Sequence, residues 1–181
     1  MHILVSGFPR SGNTYLLYCV GILTGCRVIT REAAFRITDS NHHVADVFKS
    51  HSLDDVLKAV PNEITLVIFA LRNYKEAVIR HAQHFKESGK EVGETELLAF
   101  CCDYMRILED FDSLTVKKLL VRYEDMIQDP CAVIHSIGHH LKTIWNGNCG
   151  HYVFSQLFGR APKVVPQELR RIEVWQRCFV L

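Results

Sequence analysis

The chain has no surplus of charge of either sign. It carries 21 lysines and arginines against 20 aspartates and glutamates, a formal net charge of +1 with histidine neutral. A nucleic-acid footprint needs a marked excess of basic residues, so nucleic acid is not an expected partner. Any anion site must therefore be local, built from a few cations and backbone N–H groups. The chain also lacks an apolar run long enough to span a bilayer, so no membrane partner is expected. Its start, Met1-His2-Ile3-Leu4-Val5-Ser6-Gly7, has no basic leader and too short an apolar run for a signal peptide. Its cysteines (Cys19, Cys26, Cys101, Cys102, Cys131, Cys149 and Cys178) are scattered, odd in number and without CxxC spacing. They read mostly as small buried hydrophobes in a reducing compartment, and a cytoplasmic protein is expected. No Cys/His set has metal-ligand spacing, so no metal is expected. There is no internal repeat and no low-complexity segment. What is present is globular composition, 48% hydrophobic and 23% charged over 181 residues, which is enough for a single domain over 1–181.

Along the chain, apolar strand-like runs alternate with helical patterns. Residues 2–6 suggest a buried strand, Thr14 to Leu23 a helix, 26–30 a second strand, and 46–51 a strand at a sheet edge. The segment 31–45 reads as loop or lid, and 53–60 as a short helix capped by Ser52. Thr65 to Leu71 is the clearest strand. Residues 74–86 form an amphipathic helix with Ala77, Val78, Ala82 and Phe85 on one stripe. A loop at 87–93, a long helix over 94–111, a strand over 118–123 and a helix from Asp129-Pro130 to about Ile144 follow. Asn146 to Gly150 reads as a turn and 166–177 as a helix. Strands alternating with helices imply βαβ units, hence an α/β fold with a doubly wound sheet of mainly parallel strands flanked by helices.

Gly7-Phe8-Pro9-Arg10-Ser11-Gly12-Asn13-Thr14 has the spacing of a P-loop, between a strand and a helix. Glycines let the backbone fold around an anion, and N–H groups with the helix N-terminus supply partial positive charge. The lysine that phosphoryl transfer normally requires should stand at position 13, where this chain has Asn13. A cation stands instead at Arg10. An arginine near a leaving oxygen would neutralise the charge growing there.

Phe8-Pro9-Arg10-Ser11-Gly12-Asn13-Thr14-Tyr15-Leu16 resembles the 5′-phosphosulfate loop of PAPS-dependent sulfotransferases, usually Pro-Lys-Ser-Gly-Thr-Thr-Trp-Leu, where PAPS is 3′-phosphoadenosine-5′-phosphosulfate. Arg10 takes the lysine place and Tyr15 the tryptophan place. Phe48-Lys49-Ser50-His51 resembles the family's Lys-Thr-His or Lys-Ser-His segment. Arg72-Asn73-Tyr74-Lys75-Glu76 is similar to its Arg-Asn-Pro-Lys-Asp segment, whose later serine falls on Arg80. Val121-Arg122-Tyr123-Glu124-Asp125-Met126 with Asp129-Pro130 resembles a further segment. The resemblance covers roughly residues 1–145; in the C-terminal part only Arg160 stands as a remnant of the family's closing Arg-Lys-Gly segment.

The resemblance implies a P-loop-like fold and sulfuryl transfer from PAPS, without a metal, to a hydroxyl or amine of a small molecule or glycan. It implies His51 as general base, with Arg10 and Lys49 stabilising charge. Arg10, Ser11, Gly12, Asn13, Thr14, Tyr15, Arg72, Arg80, Tyr123 and Arg160 would bind the donor, Arg72 at its 3′-phosphate and Tyr15 and Tyr123 near the adenine. Arg80 either reaches that phosphate or pairs with Glu76 one turn back. A neutral imidazole suits proton removal at cellular pH. Extended chain puts Lys49 and His51 on one side. Adjacent Glu124 and Asp125 read as loop-fixing or solvated. Two other readings share the fold: a P-loop kinase of a small molecule, and a non-catalytic domain binding adenosine bisphosphate or another nucleotide.

Overall fold

The structure, a computed structural model, describes residues 2–29, 46–53 and 64–144. The described elements are β1 (His2–Ser6), α1 (Asn13–Thr24), β2 (Arg27–Ile29), β3 (Asp46–Ser50), β4 (Ile64–Leu71), α2 (Tyr74–Glu87), α3 (Glu94–Ser113), β5 (Lys118–Arg122), α4 (Tyr123–Gln128) and α5 (Pro130–Ile144). The strands form one sheet in the order β2-β3-β1-β4-β5, and every pairing in it is parallel. This is the expected α/β, doubly wound, P-loop-like arrangement.

Parallel strands covered on both faces need near-continuous apolar sequence. The central strands have it: Ile3, Leu4 and Val5 of β1 and Leu66, Val67 and Ile68 of β4 are fully buried. Period-2 alternation then divides them between two cores. Leu4, Val67 and Phe69 pack with α2 and α3 through Ala77, Val78, Tyr104, Ile107 and Phe111. Ile3, Val5, Leu66, Ile68 and Ala70 pack with α1 and α5 through Leu16, Leu17, Val20, Ile137 and Leu141. Phe69 and Phe111 stack at 4.5 Å between ring centroids, tying α3 to the sheet.

Two expectations are corrected. Segment 46–51 is not a sheet edge, because β2 pairs with the outer side of β3 and encloses it between β2 and β1. Its weak alternation reflects burial on both faces: Asp46, Val47, Phe48 and Ser50 are all buried. The strand over 118–123 ends at Arg122, and Tyr123 opens a short helix instead. Cys19, Cys26, Cys101 and Cys102 are free thiols. The expected lid 31–45, the helix 53–60 beyond Leu53, the turn 146–150, the helix 166–177 and Arg160 lie outside the described residues. Among the described residues, no helix is long and apolar enough to cross a membrane.

The topology fixes where a ligand can sit. β1 lies between β3, reached on one side, and β4, reached on the other, and this reversal opens a crevice at the strands' carboxyl ends. The loop after β1, Lys49 and His51 at the end of β3, Arg72 after β4 and Tyr123 after β5 all arrive there.

Candidate active site

The loop from Gly7 to Gly12 owes its shape to backbone conformations that side chains disfavour. Gly7 has φ 145° and Gly12 φ 89°, and Arg10, the one non-glycine residue with positive φ among those described, has φ 68°. A Cβ on Gly7 would collide with the Ala70 carbonyl of β4. A Cβ on Gly12 would lie 2.9 Å from the Tyr123 ring and 3.0 Å from the Met126 side chain. Glycine is needed at both positions, and at Gly12 both for conformation and for space.

Asn13 occupies the place of the missing lysine, and its amide is spent inside the loop. Its Nδ2 donates to the carbonyls of Gly7 and Phe8, each at 3.0 Å. The Gly7 carbonyl also takes the Nδ1 of His51 at 2.8 Å. A carbonyl only accepts, so Nδ1 carries the proton and the lone pair of a neutral His51 sits on Nε2. The 3.3 Å approach of Asn13 Nδ2 to His51 Nδ1 is then donor beside donor, both aimed at the same carbonyl. Asn13 thus locks the loop and, through Gly7, the orientation of His51. Ser11 gives its N–H to Phe8 at 3.2 Å, while its hydroxyl is buried with no hydrogen-bond partner. Helix α1 begins with Leu16 bonding back to Gly12, so the N–H groups of Asn13, Thr14 and Tyr15 have no acceptor within the helix. Lys49 Nζ donates to the Thr14 hydroxyl at 3.4 Å, which holds its ammonium over that N-terminus.

Arg72 is held from several directions. Asn73 caps α2, its Oδ1 accepting from the N–H groups of Lys75 and Glu76. The Asn73 N–H donates to Glu124 at 2.9 Å, which gives Glu124 the loop-fixing role expected of it. The Tyr104 hydroxyl donates to the Arg72 carbonyl. The guanidinium donates to Glu76 through Nε at 3.3 Å and Nη2 at 3.0 Å, and to the Arg10 carbonyl through Nη1 at 3.0 Å. Its central carbon lies 4.0 Å from the centroid of the Tyr123 ring. Of the five N–H donors of a guanidinium, one on each terminal nitrogen is thus left for a ligand. Because Glu76 pairs with Arg72, the alternative pairing of Arg80 with Glu76 is not formed; Arg80 makes no ion pair among the described residues.

These groups converge on one open cleft of about 720 Å³, lined by Arg10, Gly12, Asn13, Thr14, Tyr15, Lys49, His51, Arg72, Arg80 and Tyr123. Ser11 is buried beneath it. Pro9, His81, His84 and Phe85 complete the lining. The described lining contains no carboxylate, so its potential is positive although the whole chain is nearly neutral. Sequence reasoning missed His81 and His84. The available signal was their spacing on α2, where His81, His84 and Phe85 continue the stripe begun by Ala77 toward the helix C-terminus. Burial shapes the site's ionisation. It lowers the pKa of His81 below 6.5, helped by the neighbouring His51, His84 and Arg10 and opposed by Asp103. It raises the Tyr15 phenol well above its usual range, with the Cys19 thiol beside it, and pushes that thiol up to about 12. Among the described residues, no group of three or more His, Cys, Asp or Glu side chains could hold a metal ion.

Comparison with solved structures places this geometry in a fold. The crystal structure of mouse sulfotransferase SULT7A1 complexed with PAP superimposes with a TM-score of 0.57 over 99% of this chain and 76% of that one, at 16% identity. The two chains share one fold. An unliganded sugar kinase from a Janibacter species aligns at a TM-score of 0.48 and 13% identity, covering 81% of this chain and 98% of that one. No family model and no curated protein matches the sequence.

Proposed function

We propose that this chain is a PAPS-dependent sulfotransferase acting on a hydroxyl or amine of a small molecule or glycan, in the cytoplasm. The observation that carries the reading is the hydrogen bond from His51 Nδ1 to the Gly7 carbonyl, which couples an imidazole base to the phosphate loop itself. A kinase loop places a lysine ammonium at position 13. Here that position ties the loop to the base instead. The donor fits the residues present. The Ser11 hydroxyl is buried without a partner, the first N–H groups of α1 have no helical acceptor, and Arg72 keeps unused donors. The shared fold with a sulfotransferase complexed with PAP adds support of a general kind.

In this reading the N–H groups of Asn13, Thr14 and Tyr15, with Ser11, Gly12 and Arg10 of the loop, surround the 5′-phosphosulfate. Arg72 takes the 3′-phosphate with its remaining N–H groups, with Arg80 beside it, and Tyr15 and Tyr123 border the adenine. His51 Nε2 takes the proton of the acceptor as the acceptor oxygen or nitrogen bonds to sulfur. The bond from sulfur to the bridging oxygen breaks, and Arg10 and Lys49 neutralise the charge left on the departing phosphate. Adenosine 3′,5′-bisphosphate (PAP) leaves.

Calorimetric titration with PAP, without Mg²⁺ and with ADP and ATP·Mg as controls, tests the donor site. Selective metal-free binding of PAP is expected. No binding, or preference for ATP·Mg, refutes the reading.

A further inference from the structure

His81 sits where a phenylalanine would cost less. Its ring meets Phe8 edge-on at 5.3 Å, Phe85 at 4.7 Å and Phe100 at 4.6 Å. Its Nδ1 is buried in that cluster with no hydrogen-bond partner. A buried N–H left unpaired is rarer in proteins than an under-satisfied acceptor. The proton of a neutral ring therefore belongs on Nε2, with a bare lone pair on Nδ1. The ring also lines the cleft, and its Nε2, unlike Nδ1, is not a buried atom without a partner. Burial and the neighbouring His51, His84 and Arg10 favour the uncharged ring, and Asp103 opposes them. His81 thus brings to the cleft a single N–H of fixed direction on a rigid helix. It stands against Phe8 of the phosphate loop, near both Arg10 and His51. The reading above places the sulfuryl group between those two residues.

We propose that His81 donates its Nε2–H to a sulfuryl oxygen of the bound donor and holds that group between Arg10 and His51. The proposal rests on the sulfotransferase reading and adds a ligand contact to it. The cost of an unpaired polar atom among phenylalanines is offset only when the other ring nitrogen binds something, and the ring that carries it lines the cleft against Phe8 of the loop.

PAP and PAPS differ by the sulfuryl group alone, so their affinities, measured without acceptor, isolate this contact. His81→Phe keeps an aromatic ring in the slot and removes the donor. It should leave Tm unchanged or raised, leave PAP affinity within about twofold, and weaken PAPS affinity about tenfold, as loss of a hydrogen bond to a charged group does. His81→Gln, which keeps an N–H, should recover part of the PAPS affinity. Equal loss for both ligands, or loss for neither, overturns the inference while leaving the donor site standing. If the wild type binds neither ligand, the sulfotransferase reading fails and takes this inference with it. A 15N spectrum of the wild-type histidines reads the tautomer independently of variant folding: Nε2–H is expected for His81, and Nδ1–H overturns the inference.

Discussion

Replacing Asn13 separates the loop's locking function from its chemistry. In Asn13→Ala the two hydrogen bonds from Nδ2 disappear. Neither carbonyl is orphaned, because Gly7 keeps His51 Nδ1 and Phe8 keeps the Ser11 N–H. The loss is therefore the net value of two ordinary hydrogen bonds, about 2 kcal/mol. At roughly 2–4 °C per kcal/mol for a chain of this size, Tm should fall by about 4–8 °C. Asn13→Asp is nearly isosteric but turns a carboxylate toward the same carbonyls at a position only 4% exposed. A buried charge facing acceptors should cost about 4 kcal/mol, twice the alanine loss or more. The fold raises the pKa of such a carboxyl above its unfolded value. Its deficit should then grow as pH rises through that raised pKa and shrink toward pH 5, where the protonated group donates one hydrogen bond. Thermal melts of both variants at pH 5 and 7.5 give the comparison. Equal loss in the two variants, or an Asp variant as stable as wild type at pH 7.5, would refute the geometry assigned to the loop.

Further expectations concern the ligand groups. Arg72→Ala should weaken binding of PAP by tenfold or more and adenosine 5′-phosphate far less, since the role proposed for Arg72 is at the 3′-phosphate; calorimetry with both ligands checks this, and equal loss counts against that role. His51→Ala should leave PAP affinity nearly intact and abolish sulfuryl transfer, measured with labelled PAPS over a panel of phenols, alcohols and amines; undiminished transfer removes His51 from the mechanism. The lowered pKa of His81 adds a pH term to stability. The fold binds that proton less well than the unfolded chain, so this contribution is whole above pH 6.5 and is lost as pH falls below it. His81→Phe should flatten the decline in Tm between pH 7 and 5, and an unchanged slope would show that His81 is not its source.

The elements most legible in the sequence are those whose pattern has a local cause. The β4 run is apolar at nearly every position because a central parallel strand is buried on both faces, and the stripe Ala77, Val78, Ala82 marks the buried side of α2. Glycine spacing foretold the loop for the same reason: Gly7 and Gly12 adopt positive φ, and that requirement stands whatever surrounds them. The motif order also named the residues that meet at the carboxyl ends of β1, β3, β4 and β5, because strand ends followed by helix starts leave local signatures. What failed was what depends on neighbours. The weak alternation of 46–51 could not tell an edge from an interior strand, since that depends on whether β2 pairs outside it.

Pairings across the site were likewise invisible in one dimension. Glu76 lies four residues from both Arg72 and Arg80, and only the crevice geometry, with Tyr123 beneath the Arg72 guanidinium, gives it to Arg72. Asn13 read as a missing lysine; the folded loop makes it the donor that closes on Gly7 and Phe8. His81 looked like one of ten histidines until the packing of Phe8, Phe85 and Phe100 buried one of its nitrogens and set the ring in the lining of the cleft. By itself the sequence determined the order of strands, loops and helices and the types of groups along them, because propensity, patterning and glycine conformation act over a few residues. Only the tertiary structure decided which groups face one another, because a hydrogen bond or an ion pair depends on distances of a few ångströms between segments far apart in the chain.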